Sequence, residues 1–291
     1  MSPFRVSWSG ENRSTLNNRM SIKNEYNIFL SAVQFLTRIK VPGSFVYKQE
    51  YLQQSSRYFP LVGIIVGAIS ALIYLVLNKY LSNDLAILGY MLTSIWITGA
   101  FHEDGLADVC DAFGGGWNKE KILVIMKDSR LGTFGLIGLL AAFAAKFLLL
   151  KELPGFMPPE ITPSLNPLVN YKTMILLMIA AHSLSRFMPV TIIQQYAYVA
   201  DIDLSKSKPL SNSVLSSLSL VIGLAFAVLP LLFLSPWYLL VLVPMYLCRT
   251  SLARFFVKWI GGYTGDCLGA TQQVTELVFY LSALIIWRYI V

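Results

Sequence analysis

GAFHEDGLADVCDAFGGGWNKEKILVIMKDSRLGTFG, residues 99–135, is the stretch richest in chemistry and follows directly on an apolar run. Asp104, Asp108 and Asp111 stand at i, i+4 and i+7. A helix of about 3.6 residues per turn carries all three on one side, within an arc of about 60°. Carboxylates so close repel one another unless a cation sits between them. Hard oxygens on one helix face, with room left for phosphate and water, suit Mg²⁺ held beside a phosphorylated substrate. Lys119, Lys121, Lys127 and Arg130 follow, among glycines that let a large anion approach the backbone. The plainer reading is a solvated acidic helix end. The apolar run just before the acids favours a metal-assisted phosphoryl or nucleotidyl transfer site.

Composition sets the medium around this stretch. Of 291 residues, 55% are hydrophobic and 13% charged, and the mean hydropathy is +0.59. Soluble domains carry about 25% charged residues, so this reads as an all-α integral membrane protein with the lipid bilayer as a partner. Cys110, Cys248 and Cys267 match neither a disulfide frame nor zinc-ligand spacing. The net charge of +7 is distributed as in membrane proteins that keep their cations on one side, so no nucleic acid is expected. Assembly into homo-oligomers is left open.

Residues 1–26 are polar, with Arg5, Arg13, Arg19 and Lys23, and read as a disordered or surface-lying tail. Residues 27–41, NIFLSAVQFLTRIKV, form an amphipathic segment too short to span, expected to lie in the interface and to stop at Pro42. Residues 27–291 then form a single transmembrane catalytic domain. Spanning helices take about 17–25 mainly apolar residues. Seven stretches qualify: 58–77, 84–103, 132–150, 171–195, 213–234, 237–257 and 271–290. In the first, Gly63 and Gly67 have the spacing that favours close helix packing. In the third, Lys146 either snorkels or faces the interior. No repeat of solenoid length is present.

Seven crossings from a cytoplasmic N-terminus give a lopsided charge map. Of the 23 Lys and Arg residues, Lys79, Lys151, Lys172 and Arg288 fall outside, Lys146 and Arg186 fall within spans, and the other 17 fall on the cytoplasmic side. Such a split is the positive-inside pattern, and it sets the acids on the face where nucleotides are.

Two further groups stand out. Arg186 lies four residues after His182, so both share one face of a span, where a buried charge calls for a partner or a ligand. In GGYTGDCLGATQQVTE, residues 261–276, Asp266, Gln273 and Glu276 fall on one side of a helix entered through glycines. Asp266 there is either a helix cap or part of a phosphate site. In IMKDSRLG, Lys127 and Arg130 serve either lipid headgroups or phosphate, and Asp128 is a metal ligand or the partner of Arg130.

FLTRIKVP (35–42), RYFPLVGIIVG (57–67), FHEDGLADVCDAFGG (101–115), IMKDSRLGTFG (125–135) and GGYTGDCLGA (261–270) together resemble the cobalamin synthase family, the adenosylcobinamide-GDP ribazoletransferases. The resemblance runs from about Phe35 to Leu281. It implies that a hydroxyl of α-ribazole, or of its 5′-phosphate, attacks the cobinamide-side phosphate of adenosylcobinamide-GDP, with GMP leaving and Mg²⁺ as the metal. It also implies a prokaryotic cytoplasmic (inner) membrane as the location. Asp104, Asp108 and Asp111 match the acidic positions of the family as metal ligands and catalytic groups, and Lys127, Asp128, Arg130 and Asp266 match two further blocks. Glu103, Asp128, Arg186, Asp266 and Glu276 are expected to contact substrate. Glu103, Ala112 and Gln273 depart from the pattern, which expects an apolar residue, a glycine and an acid there. In the mechanism this implies, Lys127 and Arg130 spread the charge of the phosphoryl group and Asp111 or Asp108 takes the proton of the hydroxyl. A CDP-alcohol phosphatidyltransferase would carry Arg where Asp108 follows Ala107. An ion-coupled transporter would carry its acids near the bilayer midplane.

Overall fold

The computed structural model describes residues 22–45, 47–153, 167–199 and 214–291, with only the backbone of 167–170. The tail up to residue 21, most of the Pro-rich loop before the fourth span, and Lys206 and Lys208 lie outside the described residues. Every regular element among those described is helical, apart from one isolated bridge between Tyr198 and Tyr263. The helices are α1 (Ile22–Leu36), α2 (Gln49–Ser55), α3 (Phe59–Tyr80), α4 (Asn83–Thr98), α5 (Phe101–Gly115), α6 (Lys119–Met126), α7 (Thr133–Glu152), α8 (Pro167–Ile193), α9 (Ser217–Val228), α10 (Leu242–Ile260) and α11 (Gly265–Tyr289).

Among the described residues four helical stretches are long and apolar enough to cross a membrane: Gln49–Tyr80, Thr133–Glu152, Tyr171–Ile193 and Pro236–Ile260. Asn83–Thr98 with Phe101–Gly115 makes a fifth if that bent pair counts as one span. The remaining two of the seven expected stretches have a different character. Ser217–Phe233 is apolar but short. The last, α11, has the length, but Gln272, Gln273, Thr275 and Glu276 interrupt its apolar character and are all buried. It is an interior helix that carries polar groups into the bundle.

The stretch 84–103 is not one continuous helix. It ends at Thr98, and α5 leaves α4 at 89°. Gly99 (φ 67) and Ala100 (φ 59) both take left-handed backbone angles, which a helix cannot continue through. The Arg38 N–H, donating to the Ile97 carbonyl at 2.7 Å, ties the end of α4 to the chain after α1. The acid-bearing α5 therefore runs nearly at right angles to α4.

The amphipathic segment expected at 27–41 is a helix shifted five residues earlier, from Ile22 to Leu36. It stops well before Pro42, where Thr37 turns its hydroxyl back onto the Val33 carbonyl at 2.7 Å. Its apolar face is covered by protein: Ile28, Leu30, Val33 and Leu36 are buried, and Arg57 reaches Glu25 at 3.0 Å.

The core of the bundle runs along α3 and α8, the latter being the most buried of the spanning helices. Gly63 is what lets these two touch: a Cβ there would run into the His182 carbonyl oxygen and lie 2.8 Å from Ser183 Cα. Backbone-to-backbone contact of this kind replaces the hydrophobic drive that lipid removes between helices. Gly63→Ala should therefore lower the unfolding midpoint in detergent by the equivalent of about 1–3 kcal/mol, the usual cost of overpacking. Gly43→Ala, which meets open space, should leave it unchanged; equal midpoints for the two variants would refute the close-packing account.

Candidate active site

The acid helix is positioned by its crossing with α11. A Cβ at Gly105 would stand 2.9 Å from the Asp266 carbonyl oxygen and 3.3 Å from Gly269 Cα, so only a glycine allows this approach. Leu106, below it, clusters with Ala142 and Ala270. The crossing brings Asp266, in the first turn of α11, beside the face of α5 that carries Asp104 and Asp108. Asp266 does not cap its own helix. Thr264 does, accepting from the Cys267 N–H at 3.3 Å, which leaves the Asp266 carboxyl to the cluster.

Asp104 is exposed and Asp108 half-buried, and neither side chain is held by a hydrogen bond or ion pair among the described residues. Burial pushes the Asp108 carboxyl up to about 7, reinforced by the charges of Asp266, Asp104 and Asp111. Asp266 is raised to about 6, mainly by burial, with Asp104 adding and its own backbone N–H opposing. Acids this close relieve their repulsion either by keeping a proton or by holding a cation between them. The donor chemistry fits a hard divalent ion. No three His, Cys, Asp or Glu side chains converge to hold one among the described residues. A hard ion placed on these carboxylates would need waters or substrate phosphate for the rest of its coordination shell.

Asp111 shares the helix face but has a different engagement. Its two oxygens accept the Gly132 N–H at 2.7 Å and the Gly135 N–H at 2.8 Å, capping the start of α7. A side chain at either glycine would collide with that carboxylate. The clamp pins the loop that holds Lys127, Asp128 and Arg130 against the acid helix. Within it, the Arg130 Nε and Nη2 donate to the Asp128 carboxylate at 3.0 and 2.6 Å, and this pairing holds Asp128 down at about 2. The Arg130 side chain remains 87% exposed. The sequence reading gave no role to Arg38, whose guanidinium lies against Gly99 at the turn between α4 and α5.

Glu103, Arg186 and Glu276 are placed apart from this cluster, inside the bundle. Lys146 faces the interior and meets Glu276 at 2.7 Å. Gln272 Nε2 donates to Glu276 Oε2 and to Ser185 Oγ, both at 2.9 Å. Gln273 Nε2 donates to Glu103 Oε1 at 3.0 Å. Arg186 Nη1 donates to the His182 carbonyl at 3.0 Å and meets His182 Nδ1 at the same distance, while that ring lies 3.8 Å from Glu276. Arg249, grouped with the cytoplasmic charges by sequence, is buried too, joining α10 to α8 through Thr191 and Gln195.

A polytopic helix bundle with a carboxylate cluster and a pinned basic loop at one end has the make-up of a membrane-embedded transferase. Family comparison is specific: the chain belongs to the cobalamin-5-phosphate synthase family, whose model matches residues 28–284. It is 44% identical to the adenosylcobinamide-GDP ribazoletransferase of Shewanella piezotolerans over 91% of this chain and 98% of that one. The protein of the same name from Leptospira interrogans is 40% identical over 92% and 99% of the two chains. That of Vibrio cholerae is 38% identical over 90% and 95%. No solved structure gives a significant match.

The inner network makes a test of its own. Glu276→Gln leaves Lys146 buried without its counter-charge and should cost about 3–5 kcal/mol of stability, whereas Lys146→Met with Glu276→Leu should recover most of it. Denaturation of the parent, Glu276→Gln and the double variant in one detergent decides the matter; a double variant no more stable than Glu276→Gln would mean the pair is not coupled.

Proposed function

We propose that this chain transfers the adenosylcobinamide phosphate of adenosylcobinamide-GDP to α-ribazole or its 5′-phosphate, releasing GMP, in the last assembly step of cobalamin. The observation that carries this reading is an uncompensated acidic face beside a pinned basic loop, in a chain whose relatives of that name align over nine-tenths of its length. In the reaction, an acceptor O–H bond breaks and its oxygen bonds to the cobinamide-side phosphorus. The bridging P–O bond breaks, and its electron pair leaves with GMP.

Asp104 and Asp108 are the residues that would hold Mg²⁺, which when bound neutralises the pyrophosphate and stabilises the leaving group. Lys127 and Arg130 face the charge of the transferring phosphoryl group. Arg130 brings a planar fork, released from Asp128 when phosphate competes for it. The clamp of Asp111 keeps both cations within reach of the acid helix. With Asp111 committed to two backbone N–H groups, Asp266 is the carboxylate of the cluster left to receive the proton of the hydroxyl.

Two experiments test this reading. Purified protein should release GMP from adenosylcobinamide-GDP only when α-ribazole is added. Asp104→Asn and Asp108→Asn should abolish Mg²⁺-dependent turnover without loss of folded protein, and Arg130→Lys should slow kcat by about 10²–10³-fold. Near-parental rates at low Mg²⁺ in both Asn variants would end the metal role, and an Arg130→Lys rate within about twofold would end the phosphate role.

The basic residues gathered beside the acid helix, Lys119, Lys121, Lys127 and Arg130, support a cytoplasmic position for this end of the molecule, in the inner membrane of a prokaryote. With Cys110, Cys248 and Cys267 replaced, Ser129→Cys should react with an impermeant maleimide in inverted vesicles and not in right-side-out ones. The opposite labelling would reverse the orientation.

A further inference from the structure

Beneath the crossing of α5 and α11 lies a cavity of ≈ 40 Å³, almost wholly apolar in its lining. Phe35, Phe59 and Phe101 form one wall: Phe35 stacks on Phe59 at 5.9 Å and meets Phe101 edge-on at 5.3 Å. Gly265 and Gly269 form the far edge and flank Asp266 in sequence. Among the described residues that line it, Arg186 is the one lysine or arginine, and His102 and Gln272 are the other polar side chains. Arg186 is 3% exposed, its Nη1 is spent on His182, and its Nε has no hydrogen-bond partner among the described residues. A buried donor left unpaired costs about 1–3 kcal/mol, so its place beside a cavity points to a ligand that accepts from it.

We infer that this cavity seats the heteroaromatic base of the acceptor nucleoside, with Arg186 donating to the free ring nitrogen of that base. The inference rests on the ribazoletransferase reading. Of the two substrates, the donor brings a pyrophosphate, two purines with polar edges and a corrinoid rimmed with amides, whose charges, polar groups and bulk a small apolar slot rejects. The acceptor brings a flat, apolar benzimidazole with one lone pair on its edge. Aromatic walls match its faces, and Arg186 matches the lone pair. A base seated there leaves its ribose at the glycine edge, where a hydroxyl meets Asp266 and the acid face of α5. The cavity is smaller than a fused bicycle, and Phe101, 40% exposed, is the wall that turns outward to admit it.

The test pairs two acceptors with two variants in lipid of fixed composition, using adenosylcobinamide-GDP throughout. One acceptor is α-ribazole; the other is the riboside with a ring C–H in place of that nitrogen. The parent should prefer α-ribazole by about ten- to hundredfold in kcat/KM, the worth of one hydrogen bond to a charged group. Arg186→Met should erase the preference and raise KM for α-ribazole by a like factor, with KM for the donor unchanged. Ile193→Phe, filling the cavity from its lining with an apolar group, should raise the acceptor KM alone. A preference kept by Arg186→Met overturns the inference, as does a donor KM that shifts as much as the acceptor KM in either variant. If Arg186→Met does not fold, Ile193→Phe decides alone. A parent that transfers to neither acceptor refutes the ribazoletransferase reading itself, and the base site with it.

Discussion

A lysine and a glutamate inside an apolar bundle are tolerable only together, and much of this architecture follows from keeping Lys146 and Glu276 2.7 Å apart. Neither charge could be left alone there without a penalty of several kcal/mol. Their pairing fixes α7 against α11. Gln272 extends the tie to Ser185 on α8, and Gln273 extends it to Glu103 on α5. Four helices are thereby set relative to one another by polar contacts, in a medium where apolar surface gives little guidance about which helix should meet which.

The acid helix is held from both ends of this arrangement. Its inner side is tied through Glu103 to the network. Its outer side presents Asp104, the very next residue, to solvent. Adjacent residues on a helix point about 100° apart, so one turn can anchor inward and react outward. The Gly105 crossing adds Asp266 to the outer face, and the Asp111 clamp adds the basic loop. The site is thus assembled from three separate segments on backbone contacts that tolerate almost no added volume.

What the sequence revealed follows from what periodicity can encode. The apolar stretches, the shared face of Asp104, Asp108 and Asp111 and the close approach at Gly63 are local patterns, readable one helix at a time, whereas Lys146 stays open between snorkelling and facing inward until its partner Glu276 is in place. The bend at Gly99 and Ala100 escaped because nothing in an apolar run announces a left-handed alanine. The clamp on Gly132 and Gly135 escaped because cap and helix lie 21 and 24 residues apart, and a carboxylate aligned with two others looks like a ligand. The offset of α1 escaped because Lys23, Asn24 and Glu25 read as tail, while Glu25 is in fact fixed by Arg57. Glu276 and Asp266, placed on one face by spacing, belong to different environments because α11 runs from the open end of the bundle into its centre.

Ala100 carries one more implication. It is the one non-glycine residue with a positive φ among those described, and a left-handed alanine gives up about 1–2 kcal/mol that a glycine would keep. A glycine there would relieve that strain but leave the elbow free to take other angles, whereas the methyl group narrows them. The direction of the acid helix is thereby set in part by the covalent geometry of one residue, and not by its neighbours alone.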